Sequence, residues 1–128
     1  MEVFNHVMLG ASDIARSKRF YDAVLGELGV EQGTMDSDVR CSYRTESGTF
    51  MIKVPIDGQP ATHANGGTVG FKAASAEEVD AWHEAGIANG GITCEDPPGP
   101  RERGGIKVYL AYLRDPFGNK LCAVYRLP

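Results

Sequence analysis

The chain has 128 residues, 42% hydrophobic and 23% charged, with 13 Lys and Arg against 17 Asp and Glu for a formal net charge of −4. That length and composition suit one compact folded unit and exclude a disordered chain. The acidic excess argues against nucleic acid as a partner, since phosphate binders carry a basic footprint, and no apolar run approaches the roughly 18 residues that span a bilayer.

Residues 3–9 are apolar between polar flanks and predict a buried strand. Ser12 and Asp13 offer a helix cap, and Phe20, Tyr21, Val24 and Leu25 recur at helical spacing until Gly26 and Gly29 stop the pattern. Residues 39–44 and 49–54 read as antiparallel strands about the turn Glu46-Ser47-Gly48, and Pro55 ends the second. Residues 55–67, PIDGQPATHANGG, form a connector. The pattern then restarts, with a strand over 68–74 and a capping box of Ser75 and Glu78. A helix follows, with Val79, Trp82, His83 and Ile87 as its apolar stripe and Gly86 a weak spot on it. Gly90-Gly91 ends that helix, and 92–95 is a short strand. Residues 96–105, with three prolines and three glycines, read as irregular. A long strand over 106–114, a turn at 115–119 and a last strand over 120–126 complete the chain.

The two halves match under an ungapped shift of 62 residues, which lays His6 on Thr68, Asp13 on Ser75, Phe20 on Trp82 and Gly29 on Gly91. The fold class is therefore α+β, two copies of a βαβββ module: module one over 1–57, connector 58–65, module two over 66–128. A unit of about 60 residues buries too little surface to stand well alone, so the modules should pack on each other or on a second chain. Three separated cysteines, Cys41, Cys94 and Cys122, form no CxxC pair. The leading MEVFNHVMLG carries an acid where an export signal carries bases. The expectation is a cytoplasmic protein with reduced thiols.

The stretch N-H-V-M-L-G-A-S-D-I-A-R-S-K-R-F-Y-D-A-V-L-G at 5–26 and the segment R-D-P-F-G-N-K-L at 114–121, with the repeat between them, resemble the vicinal oxygen chelate superfamily. That superfamily includes glyoxalase I, bleomycin-resistance proteins and extradiol dioxygenases. The resemblance implies a half-open barrel of paired modules with helices on its outer face, a homodimer, and a small organic molecule bound in the cleft. In metal-dependent members it also implies a divalent cation held by the opening and closing strands of each module. Those positions fall here on His6, Lys53, Thr68 and Cys122. His6 alone retains an ordinary ligand. An ammonium has no lone pair to give, a threonine hydroxyl is a weak neutral donor, and a thiolate prefers softer ions. The resemblance thus leaves two functions open: a lyase or dioxygenase-like enzyme, or a metal-free protein that sequesters its ligand.

Alternation along the strands gives the inward row from the residues themselves: His6 and Met8, Met51 and Lys53, Thr68 and Gly70, Cys122 and Val124. His6 could be a metal ligand, a general base or a structural histidine. Lys53 could meet an anion or snorkel to the rim. Cys122 could be a nucleophile if Lys53 or His6 lowered its pKa, or a small apolar filler. Arg101 and Arg103 could fix a carboxylate or phosphate at the rim. Of the two tyrosines on opposite faces of their strand, Tyr109 is expected in the cleft and Tyr112 beneath the second helix. His63 reads as a solvated loop residue and His83 as a packing one.

Overall fold

The computed structural model describes residues 3–128. The first half comprises β1 (His6–Gly10), α1 (Ile14–Glu27), β2 (Thr34–Ser37), β3 (Arg40–Thr45) and β4 (Gly48–Lys53). The second comprises β5 (Val69–Lys72), α2 (Ala76–Ala88), β6 (Ile92–Thr93), β7 (Gly99–Arg103), β8 (Ile106–Arg114) and β9 (Lys120–Arg126). The first sheet runs β1-β4-β3-β2 and the second β5-β9-β8-β6, with β7 also on β8. In each, the opening strand lies parallel to the closing one and the remaining pairs are antiparallel. The duplication is therefore real in topology, and the sheets remain two, not one closed barrel.

Both helices start as the residues dictate. The Asp13 carboxylate accepts the Arg16 N–H, and the Ser75 hydroxyl accepts the Glu78 N–H, at 3.1 Å each, satisfying donors that a first turn leaves without partners. Each helix covers one side of its sheet, and α1 also packs on α2, so both halves share one core. Tyr21 and Phe50 pack with ring centroids 4.8 Å apart. Phe50 then meets Phe71 of the second half at 5.4 Å.

Three local expectations need correction. Residues 3–5 precede β1, and Phe4 is 82% exposed, because β1 is the edge strand of its sheet among the described residues. Residues 99–103 are not irregular: they form β7, with Pro100 opposite Tyr109. An edge strand accepts a proline that a central one could not, because its outer side needs no N–H. The exposed strand β2, TMDS, lacks apolar alternation and left no signal of its own.

The stripe of α2 runs through Val79, Trp82 and Gly86, while Ile87 is 49% exposed. A Cβ on Gly86 would lie 2.3 Å from Leu113 Cδ1, 3.2 Å from Val24 Cγ1 and 3.3 Å from Phe20 Cε1. The weak spot in the stripe is the point where α2, α1 and β8 come closest. Gly86→Ala should therefore destabilise by about 1–3 kcal/mol through overpacking, despite alanine's better helix propensity of about 1 kcal/mol. Urea denaturation checks this, and an unchanged or raised midpoint would contradict the close approach.

The turn after β8 joins the halves. Asp115, 2% exposed, accepts the Tyr21 hydroxyl at 2.6 Å, the Asn119 side-chain amide at 2.8 Å and the backbone N–H groups of Phe117 and Asn119. Asn119 also donates to the Gly10 carbonyl at 3.1 Å. Burial first, then the Asp115 charge, raises the Tyr21 pKa well above its ordinary value, so its hydroxyl stays a donor.

Candidate functional site

With the helices on one side of each sheet, the other side is open. On the first sheet the register sets His6 beside Thr49, Met8 beside Met51 and Gly10 beside Lys53. Their neighbours Phe50 and Ile52 face the core, so His6, Met8, Met51 and Lys53 share the open side. His6 is exposed, with Nδ1 2.8 Å from Asn5 Oδ1. Met8 is 40% exposed. Ser42 stands opposite Met51, and its hydroxyl donates to Asp36, which also pairs with Arg40 and Arg44. The Ser42 hydrogen bond first, then burial working against it and the two guanidinium groups aiding it, holds the Asp36 carboxyl below its usual range.

On the second sheet the same alternation puts Gly70, Cys122, Val124, Leu110 and Tyr112 on the open side. Val108, Leu110 and Cys122 form a small apolar cluster there, with Tyr112 and Val124 packed on it. The expectation for the tyrosines is reversed. Tyr109 packs with the core on the helix side and donates to Asp80 Oδ1 of α2 at 2.8 Å, whereas Tyr112 stands beside Cys122 on the open face. Sequence alone could not choose between them, since alternation gives opposite faces but not which face a helix covers.

The structure does not bring the four family ligand positions into one donor set. His6 and Lys53 lie at opposite ends of the β1–β4 pair, roughly 13 Å apart at about 3.3 Å per residue. Cys122 sits on the other sheet, and burial pushes its thiol up to about 11, leaving it protonated at neutral pH. Among the described residues no group of three His, Cys, Asp or Glu side chains is placed to hold one ion. One imidazole, one ammonium, one hydroxyl and one neutral thiol do not fit a hard divalent cation, which wants several oxygens.

Burial of Cys122 also weighs against the nucleophile reading. A pKa of about 11 leaves roughly a hundredfold less thiolate than its ordinary value of 9.0. Titration of the native protein with a disulfide reagent near pH 8 should modify the half-buried Cys94 first and leave Cys122 unreacted until unfolding. Fast labelling of Cys122 would restore the nucleophile.

Arg101 donates to the Pro97 and Pro100 carbonyls at 2.7 and 3.1 Å, and Arg103 to the Glu102 carbonyl, so both brace their own segment. His83 lies 2.9 Å from Thr93 Oγ1, and burial lowers its pKa, which suits a packing role. His63 rests against the 115–119 turn: a Cβ on Gly118, at φ +89°, would fall 2.7 Å from its Nδ1. Thr68 lies with His63, Arg114 and Lys120 around a cavity beside the connector. Arg114 and Lys120 were missed, although both flank the quoted turn and share the parity of Cys122.

The model of the Glyoxalase/Bleomycin resistance protein/Dioxygenase superfamily matches residues 3–123. The chain belongs to this superfamily. A crystal structure of a glyoxalase/bleomycin resistance protein from Albidiferax ferrireducens T118 is 58% identical, with TM-score 0.92, covering 96% of this chain and 98% of that one. Two more distant structures share the fold. A glyoxalase/bleomycin resistance protein/dioxygenase family enzyme from Burkholderia phytofirmans PsJN is 19% identical, with TM-score 0.72 and coverage of 96% and 98%. Lactoylglutathione lyase from Agrobacterium tumefaciens is 20% identical, with TM-score 0.67 and coverage of 98% and 94%. No curated protein matches the chain. His6, the position that the resemblance gives to the opening-strand ligand, lies exposed on the open face, and Lys53, Thr68 and Cys122 stand at the other three positions.

Proposed function

We propose that this superfamily member binds a small organic molecule on the open sheet faces and acts as a ligand-sequestering protein of the bleomycin-resistance type. The observation that carries the reading is the open side of the first sheet. It offers an exposed imidazole, His6, next to two methionines, Met8 and Met51, with Thr49, Ser42 and Lys53 on the same face, a mix of apolar contact and a few placed polar groups that suits a small organic ligand. The mismatch of Lys53, Thr68 and Cys122 to a hard cation supports sequestration over the lyase or dioxygenase-like chemistry of metal-dependent members.

A homodimer is part of the proposal. Both opening strands are sheet edges, and Val3, Phe4, Val7 and Met8 are exposed along one of them; such an edge needs cover. A cytoplasmic location accords with three free cysteines. No described helix is long and apolar enough to cross a membrane.

A thermal-shift screen with small aromatic and anionic compounds tests the reading. A ligand at a hundred times its Kd adds about 2.7 kcal/mol, which raises Tm by several degrees. That rise should shrink in His6→Ala and Met51→Ala. Uniform silence overturns ligand binding, and turnover appearing on addition of Ni, Zn, Mn, Fe or Co overturns sequestration in favour of the enzyme. Light scattering should give twice the chain's 13.8 kDa.

A further inference from the structure

A cavity of about 270 Å³ opens where the connector meets the second sheet. Its polar side-chain lining is His63, Asn65, Thr68, Arg114 and Lys120, with Ala64 and Gly66-Gly67 completing the wall, and among the described residues no acidic side chain lines it. Two permanent cations share this small space with an imidazole, an amide and a hydroxyl, which can all donate hydrogen bonds. Their positions are set by the fold. Arg114 ends β8 and Lys120 begins β9, directly opposite each other in the ladder. Arg114 donates to the Gly118 carbonyl at 2.7 Å, its only protein acceptor among the described residues. Lys120 lies 4.8 Å over the Tyr112 ring. Two cations held side by side repel unless an anion joins them.

We propose that this pocket binds a small oxyanion, the carboxylate or phosphate group of a metabolite. The protein already shows what Lys120 pairs with: its ammonium donates to the Glu95 carboxylate, which reaches it from outside the cavity. Glu95 is the one non-glycine among the described residues with positive φ, 57°. Its carboxylate competes with a bound oxyanion for the same ammonium. Arg114 and Lys120 share the open side of the sheet with Tyr112 and Cys122. A molecule lying along that face would therefore be an organic acid, with its charged end at the connector. That last step rests on the ligand-binding reading above; the pocket itself does not.

The test is titration of the full chain at low salt with inorganic phosphate and, separately, with malonate, following the backbone amide resonances of Gly66 and Thr68. At least one anion should shift them saturably, and the tighter of the two distinguishes a phosphate from a carboxylate ligand. Lys120→Gln should weaken binding about tenfold by removing a charge-assisted contact. Glu95→Gln should tighten it about two- to fivefold, the worth of a surface ion pair. A folding defect cannot produce that tightening. Silence of both anions up to about 50 mM, where even the weakest specific contact would register, overturns the proposal, as does equal binding by wild type and Lys120→Gln. Anion binding with a silent organic screen would sink only the ligand-binding reading, and the converse only this pocket.

Discussion

Asp115→Ala should lower the stability of the folded chain by about 3–4 kcal/mol, near the upper end for one substitution. The carboxylate is buried and accepts four hydrogen bonds, from the Tyr21 hydroxyl, the Asn119 amide and the N–H groups of Phe117 and Asn119. Alanine leaves all four donors without their acceptor, and each buried orphan costs about 1–3 kcal/mol where water cannot reach it. Tyr21→Phe should be milder, about 1–2 kcal/mol, since it removes one donor and leaves the carboxylate three. The two substitutions should fall short of additivity by 1 kcal/mol or more, because they remove one shared contact. Urea denaturation of the four proteins in the cycle measures this. Full additivity would mean that the turn does not hold the two halves together.

Phe50→Ala should destabilise by about 3–5 kcal/mol, the range for emptying a large aromatic site. Phe50 is 7% exposed and touches the rings of Tyr21 and Tyr43 in its own half and Phe71 in the other. Phe71→Ala should lose less, because Phe71 is only half-buried and leaves a cavity open to solvent. Thermal and chemical unfolding of Phe50→Ala should remain a single transition at a lower midpoint. A loss under about 1 kcal/mol, or two separate transitions, would show that the halves do not share a core.

Much of this was legible in the residues. The caps Asp13 and Ser75, the strands over 106–114 and 120–126, and the doubled module needed only periodicity and turn chemistry, which are local. Period two also grouped His6 with Met8 and Met51 with Lys53, while the resemblance, not the alternation, turned that face toward the cleft. What escaped had weak local signals. The strand β2 has a single apolar residue, Met35, β7 carries a proline, and α2's stripe turns through a glycine whose place is fixed by Leu113 and Phe20.

The candidate site divides the same way. Residue chemistry by itself determined that Lys53 cannot ligate a cation; that His6 stands at a ligand position is what the resemblance implies. Only the tertiary structure decided that Tyr112, not Tyr109, faces outward, that burial pushes the Cys122 thiol up, and that Arg114 and Lys120 meet His63 and Thr68 around one cavity. Periodicity records which side chains share a face. Which face is covered, and which loop folds back over a strand end, depends on contacts between residues tens of positions apart, and no local pattern encodes them.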